Sequence, residues 1–402
     1  MQYPTRFSNL PQYAFPRLRA LLDPHQGGGE ALHMSIGEPK HKFPQFVPQL
    51  LLRHADGINK YPPNDGTPEL RQAIARWLEN RYDLHALNPD KNVLSLNGTR
   101  EGLFNAALAL CPERKNAAQP VVLIPNPFYQ CYAVAARAVG AEPVFVPAPK
   151  DNGFLPNFDA IPVDILERTA IVYMCSPSNP QGAVASAQYW ENLILLAEKY
   201  DFWIFADECY AEIYRDTPPA GALSGAQAIN ADPERVLVFH SLSKRSNLPG
   251  LRSGFAAGGA KSIARMKQLR NYTGAPVPLP IQQVSAAVWA DEAHVVQNRA
   301  LYQEKFDVCD KILGNIPEYS APQAGFFLWL KVDDGEKAAL RLWKETGVRA
   351  LPGAYLSRPS DRRLGDGNPG AGYLRVALVA EIADIERGLL AIRDCLYDHA
   401  DV

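Results

Sequence analysis

Lys244 lies in the stretch Ser241-Leu242-Ser243-Lys244-Arg245-Ser246-Asn247-Leu248-Pro249-Gly250-Leu251-Arg252, directly after the apolar run Val236-Leu237-Val238-Phe239-His240. A short continuous apolar run reads as a buried strand. The sequence therefore sets a primary amine at a strand end, between two serines and with an arginine further on. Serine and arginine bind anions, and a lysine amine condenses with aldehydes. Together they suggest a covalently held, phosphorylated aldehyde, pyridoxal phosphate. A surface turn with ordinary basic residues has the same composition, and short motifs match by chance, so the choice depends on what shares the rim with Lys244.

Three further residue sets follow runs of the same kind. Val121-Val122-Leu123-Ile124 leads into Pro125-Asn126-Pro127-Phe128-Tyr129. The run 170–174 leads into Cys175-Ser176-Pro177-Ser178-Asn179-Pro180-Gln181-Gly182, and 202–206 into Asp207-Glu208-Cys209-Tyr210. Singly, Asn179-Pro180 reads as a turn and Asp207 as a cap or a salt-bridge partner. Ligands of open α/β sheets bind beyond the carboxyl ends of the strands. An aromatic ring, an amide, a carboxylate with a nearby phenol, and an amine at matching strand ends form one constellation.

The elements that must place these residues alternate. Thr67-Pro68-Glu69-Leu70 opens a helix with Leu70, Ile74, Trp77 and Leu78 on one face. Helical patterns over 101–110, 130–139 and 187–200 are interleaved with strand-like runs at 121–124, 142–146, 170–174, 202–206 and 236–240. The runs are apolar throughout rather than alternating, which predicts an α/β fold whose mostly parallel sheet is covered by helices on both faces. A long helical stretch over 281–313 follows the proline-rich 276–280. Strand-like 325–330, a helix over 335–346 and strand-like 374–379 then predict a smaller α+β domain. The expected division is an N-terminal segment, 1–45, packing with the small domain; a large domain, 46–280; and the small domain, 281–402. Little regular structure is expected before residue 45 beyond a short helix near 17–22, and Gly27-Gly28-Gly29 reads as a flexible joint.

Composition excludes several classes. The 402 residues are 47% hydrophobic and 21% charged, with a formal net charge of −2, the profile of a soluble globular protein. Without a basic stripe, nucleic acid is not expected as a partner. No run of about 18 apolar residues is present, so no membrane span is expected. The first residues lack the apolar core of a signal peptide. Cys111, Cys131, Cys175, Cys209, Cys309 and Cys395 form no Cys-x-x-Cys pair, which predicts reduced cysteines, no metal site and a cytoplasmic location.

The ordered set Asn97-Gly98-Thr99-Arg100-Glu101, Ser178-Asn179-Pro180-x-Gly182, Asp207-Glu208-x-Tyr210, Ser241-x-Ser243-Lys244 and Gly250-x-Arg252-x-Gly254 resembles the class I/II, fold-type I pyridoxal-phosphate aminotransferases. The likeness runs from Ile36-Gly37-Glu38-Pro39 to Arg375. It implies that Lys244 holds the cofactor aldehyde and, once released, moves the substrate proton. It implies that Asp207 faces the pyridine nitrogen, so that the ring takes up electrons, that Tyr210 and Asn179 reach the ring oxygen, and that Tyr129 stacks on the ring. Gly98, Thr99 and Arg100 at a helix start, with Ser241, Ser243 and Arg252, would hold the phosphate. Arg375 would clamp the substrate carboxylate, and Gly37 would lie against the substrate, where a side chain would block entry. Tyr61, in Lys60-Tyr61-Pro62-Pro63, would reach the phosphate of a neighbouring subunit, implying a homodimer with shared active sites.

Within that family the resemblance is nearest to the bacterial N-succinyldiaminopimelate aminotransferases. It is carried by Ile36-Gly37-Glu38-Pro39-Lys40-His41, Asn126-Pro127-Phe128-Tyr129-Gln130-Cys131-Tyr132, Asn298-Arg299-x-Leu301-Tyr302-x-Glu304-Lys305-Phe306 and Asn368-Pro369-Gly370. It implies exchange of an amino group between glutamate and N-succinyl-2-amino-6-oxopimelate. Amino acids and 2-oxo acids are then the partners, and a distal carboxylate needs a second cation, with Lys40 and Arg100 as candidates. Rival readings are an aspartate, aromatic or N-acetylornithine transaminase, a C–S lyase or decarboxylase on the same cofactor, and a ligand-sensing module of a DNA-binding protein. The last lacks a helix-turn-helix pattern ahead of Ile36.

Overall fold

A computed structural model describes residues 5–8, 10, 12–85, 87–316 and 318–398. The outermost ends of the expected N-terminal segment and small domain lie outside these residues. Among the described residues, no helix is long and apolar enough to cross a membrane.

The larger body is built on a seven-stranded sheet in the order Val93–Leu96, Gly254–Gly258, Val236–Ser241, Trp203–Asp207, Thr169–Cys175, Val121–Asn126, Glu142–Pro147. Only Gly254–Gly258 runs against the rest: it pairs antiparallel with both of its neighbours, while the other pairings are parallel. Val121–Asn126, Thr169–Cys175 and Val236–Ser241 are buried at every position, and Trp203–Asp207 at all but Trp203, as expected where helices cover both faces. One apolar cluster, with Trp77, Trp190 and Phe202, fills one side, and another, with Leu103, Tyr132 and Tyr173, fills the other.

Two of the seven strands, Val93–Leu96 and Gly254–Gly258, escape a reading by apolar runs. The first is four residues long, and the second is Gly-Phe-Ala-Ala-Gly, a composition with weak strand preference. The sheet is therefore mixed rather than wholly parallel.

The stretch 281–313, expected as one helix, is two: Leu279–Ala290 and Ala293–Leu313. Asp291 causes the break, its Oδ2 accepting from the His294 backbone N–H at 3.1 Å, because a short carboxylate competes with the helix for its own amides. Leu279–Ala290 packs on Pro68–Tyr82 and Val47–Arg53, and its Val284, Val288 and Trp289 belong to the large-sheet core. We propose that the boundary between the two bodies lies at this break rather than at 281.

The smaller body carries the antiparallel strands Leu351–Pro352, Tyr373–Ala377 and Phe327–Lys331. Leu32–His33 of the N-terminal segment pairs with Val348–Arg349, and the helix Ala14–Leu22 packs on Trp343, Leu351 and Tyr355. Buried Glu212 joins the bodies, accepting from Arg81 at 2.6 Å and from Arg299 of the Ala293–Leu313 helix at 2.8 Å.

The glycine triplet is not a joint. The Gly28 N–H donates to Trp343 O at 3.1 Å, and a Cβ on Gly28 would collide with the Glu345 backbone. Glycine is needed there for close approach rather than for mobility. Gly28→Ala is accordingly expected to destabilise the fold by about 1–3 kcal/mol through overpacking, measured by denaturant unfolding. An unchanged midpoint would show that this segment is not docked.

Candidate active site

Every parallel strand of the central sheet ends on the same rim, and the reversed strand begins there. Arg252 precedes Gly254–Gly258 and so arrives beside Lys244, which follows Val236–Ser241. The rim opens into a cavity of about 450 Å³, a size that suits a cofactor with a small substrate. Thr99, Arg100, Tyr129, Asn179, Asp207, Tyr210, Ser241, Ser243, Lys244 and Arg252 line it from the large body. Arg375 lines it from the small body, and Gly37 from the N-terminal segment. Three expected residues, Gly98, Tyr61 and Lys40, are not among those that line it. Tyr61 is fully exposed, and Lys40 is exposed away from the cavity wall.

Lys244 Nζ donates to Gly37 O at 2.6 Å. Burial pushes its amine down to about 8, with Arg375 and Arg252 acting the same way against Cys209 and Glu38. A lysine in water titrates near 10.4; here a usable fraction is neutral close to physiological pH.

Asp207 is 6% exposed and takes part in no ion pair among the described residues. Its Oδ2 accepts from Tyr132 Oη at 2.7 Å and its Oδ1 from the Cys209 N–H at 3.3 Å. Burial raises its pKa, and these hydrogen bonds oppose the rise. A buried carboxylate without a cation is costly, and a protonated ring nitrogen is the group that would complete it.

The phosphate end is built from donors. Ser241 Oγ and Ser243 Oγ are 2.9 Å apart, and the helix Thr99–Leu110 starts at the same place. Among the described residues Arg252 bonds to carbonyls, of Pro249 at 3.0 Å and Asn97 at 3.4 Å, and to no carboxylate. Gly98 has φ +79°, and a Cβ there would strike the Arg252 guanidinium. Glycine is thus required twice over at this position. These residues fit pyridoxal phosphate at each end of the molecule.

Arg375 is 4% exposed, central in its strand, with Cζ 4.2 Å from the Phe327 ring centroid. Its Nη1 donates to Asn179 Oδ1 at 2.9 Å and its Nη2 to Ser35 O at 2.7 Å, while its Nε is buried without a partner. Burial lowers its pKa to about 10, so the guanidinium is still charged at neutral pH. A buried, uncompensated guanidinium fits a carboxylate ligand.

The sequence reading missed Tyr132, Ser35 and Glu38. Tyr132 stacks on Tyr173 at 4.5 Å, inside a helix that looks like ordinary core. The signal was the phenol itself, since a buried hydroxyl needs a partner. Ser35 acts through its carbonyl, which no sequence motif reveals. Glu38 lines the cavity from within a segment otherwise singled out for Gly37.

The sequence profile of the family described as aminotransferase class I and II matches residues 30–382. An LL-diaminopimelate aminotransferase of Dehalococcoides mccartyi is 33% identical over 400 residues, covering 97% of each chain. A crystal structure of an aminotransferase from Neisseria meningitidis superposes with a TM-score of 0.92 at 39% identity, covering 97% of this chain and 99% of that one. A probable N-succinyldiaminopimelate aminotransferase from Thermus thermophilus gives 0.83 at 25% identity, covering 95% and 100%.

The lowered pKa of Lys244 can be measured directly. Capture of pyridoxal phosphate by cofactor-free protein, followed by visible absorbance, should quicken as pH rises through about 8. Lys244→Ala should give no lysine-bound absorbance. A midpoint close to that of a free lysine would show a solvated amine instead.

Proposed function

Since this chain belongs to the class I and II aminotransferases, which use pyridoxal 5'-phosphate, we propose that it passes an amino group between glutamate and a diaminopimelate-type acid. The reaction is N-succinyl-LL-2,6-diaminopimelate with 2-oxoglutarate to N-succinyl-2-amino-6-oxopimelate with glutamate. One observation carries the transaminase reading. Lys244, Asp207 and Arg375 face one cavity, Asp207 and Arg375 buried and Lys244 half-buried, and none is in an ion pair among the described residues.

When bound, the cofactor supplies an aldehyde for amines and a ring that accepts the electron pair left at the substrate Cα. The remaining work falls to side chains. Arg375 orients the substrate α-carboxylate, itself held by Asn179 Oδ1 and the Ser35 carbonyl. Lys244 Nζ, whose pKa burial brings down to about 8 so that a usable fraction is neutral, takes the Cα proton and returns one. Asp207 keeps a positive ring nitrogen favourable, and Tyr132 holds its carboxylate in place. Ser241, Ser243, Arg252 and the start of the Thr99–Leu110 helix hold the phosphate.

Arg100 supports the distal-carboxylate reading. It lines the cavity, forms no ion pair among the described residues, and has its Nε fixed on Tyr129 Oη at 2.5 Å. Lys40 lies off the cavity wall and drops out. A second reading, transamination of unacylated LL-2,6-diaminopimelate, is favoured by the name of the Dehalococcoides relative and by Glu38. That carboxylate lines the same cavity and would suit a free distal ammonium.

We also infer a homodimer with shared sites. Leu52, Ile58, Tyr61 and Tyr272 are exposed by 78% or more. Asn64 donates to Asn271 at 2.8 Å and Arg270 to Asn64 O at 3.1 Å, while Arg270 pairs with Glu101 at the phosphate end. An apolar face thus adjoins the phosphate site, where a second copy would bring Tyr61.

The deciding assay compares succinylated and free diaminopimelate as amino donors to 2-oxoglutarate. Arg100→Ala should raise KM for the succinylated donor roughly thirtyfold or more, equivalent to about 2 kcal/mol of lost ionic contact. Turnover of the free acid alone, with sensitivity to Glu38→Gln, would favour the second reading. Ile58→Asp should shift the protein toward monomer in sedimentation and weaken cofactor retention; a monomeric parent with full retention would remove the shared-site inference.

A further inference from the structure

A buried polar chain runs from the small body to the turn that bears Lys244. Lys305, on the Ala293–Leu313 helix, is 2% exposed; its Nζ donates to Leu378 O at 3.2 Å and contacts His41 Nε2 at 2.6 Å. His41 Nδ1 contacts Asn298 Oδ1 at 2.9 Å, and Asn247 Nδ2 donates to the same oxygen at 2.9 Å. Asn298 Nδ2 points at Lys244 O, 3.5 Å away. Asn298 and Asn247 are themselves buried.

Donor and acceptor rules fix the direction of this chain. A lysine ammonium can only donate, so His41 Nε2 accepts, and the proton of the neutral imidazole sits on Nδ1 and points at Asn298. Both lone pairs of Asn298 Oδ1 are then used, and its amide N–H is directed at Lys244. Burial lowers the pKa of His41, Asn298 opposes this and Lys305 adds to it, which favours the neutral ring. The charged groups about the relay are Lys305, Lys40 and Glu381; those about the Lys244 amine are Arg375, Arg252 and Glu38.

The chain matters because of what else its first link carries. Residues 35–38, just ahead of His41, hold Arg375 through Ser35 O and Lys244 Nζ through Gly37 O, and Ile36, Gly37 and Glu38 line the cavity. Among the described residues, the other side-chain hydrogen bond tying this loop to the Lys244 turn is Asn247 Nδ2 to Lys42 O, at 3.3 Å. We propose that His41, Asn298 and Lys305 are positioning residues: they set the substrate-side loop in register with the catalytic lysine, so that Gly37 O stays within reach of Lys244 Nζ.

The inference rests on Lys244 being the amine that captures the cofactor, and its test needs no substrate. His41→Phe keeps the ring on Tyr302, now 4.5 Å away, but removes both polar links. His41→Gln retains one donor and one acceptor. In cofactor-free protein, His41→Phe should move the pH midpoint of pyridoxal phosphate capture downward, because an ammonium acceptor is lost. In the loaded enzyme it should lower kcat at least tenfold with KM changed less than threefold. His41→Gln should restore both readouts to near the parent. If His41→Phe does not fold, His41→Asn, too short to span Asn298 and Lys305, takes its place. A broken variant that matches the parent in midpoint and kcat overturns the relay. So does a folded His41→Gln that fails as fully as the broken variant. A parent that captures no cofactor on Lys244 would instead overturn the catalytic assignment.

Discussion

The Asp207 carboxylate and the Arg375 guanidinium are held out of water in one cavity with no ion-pair partner among the described residues, and the half-buried Lys244 amine stands beside them. Each ion removed from water without a partner costs several kcal/mol even after relaxation. The cost is tolerable only if a ligand supplies the missing charges, and only if surrounding groups stop the side chains from turning toward solvent. The rest of the molecule can be read as the means of holding them. Tyr132 and the Cys209 amide grip Asp207, Asn179 and the Ser35 carbonyl grip Arg375, and Gly37 O grips Lys244.

These grips come from three separate stretches of chain, so the site exists only when they are assembled. The large sheet supplies the lysine, the carboxylate and the phosphate donors. The small body supplies Arg375. The N-terminal segment, paired to the small body through Leu32–His33 and Val348–Arg349, supplies the carbonyls of Ser35 and Gly37. Glu212, shared by Arg81 and Arg299, fixes the bodies where they meet. Removing one arginine would leave a buried charge half satisfied, which is why a junction of this kind resists small shifts.

Much of this was legible in the residues. Long apolar runs gave the central strands, because burial on both faces leaves no room for alternation. The site residues were legible because each followed such a run. Legibility failed where function passes through backbone or through small residues. Gly254–Gly258 has too little side chain to show as a strand, although its reversed direction is what brings Arg252 to the rim. Ser35 and Gly37 act through carbonyl oxygens, which every residue has. Gly27-Gly28-Gly29 was misread because glycine serves two opposite ends, freedom and close packing, and only the neighbour Trp343 decides between them. The helix break at Asp291 was hidden because apolar periodicity continues across it.

The reversed strand also sets a length scale. Val236–Ser241 and Gly254–Gly258 are adjacent and antiparallel, so Lys244 and Arg252 lie on one short connection between them. The span from the reactive amine to the phosphate anchor is thereby measured by a single loop, like two marks on one ruler. It does not depend on the separation of distant strands, and breathing of the wider sheet leaves it unchanged. A cofactor of fixed size can then be gauged by that one loop.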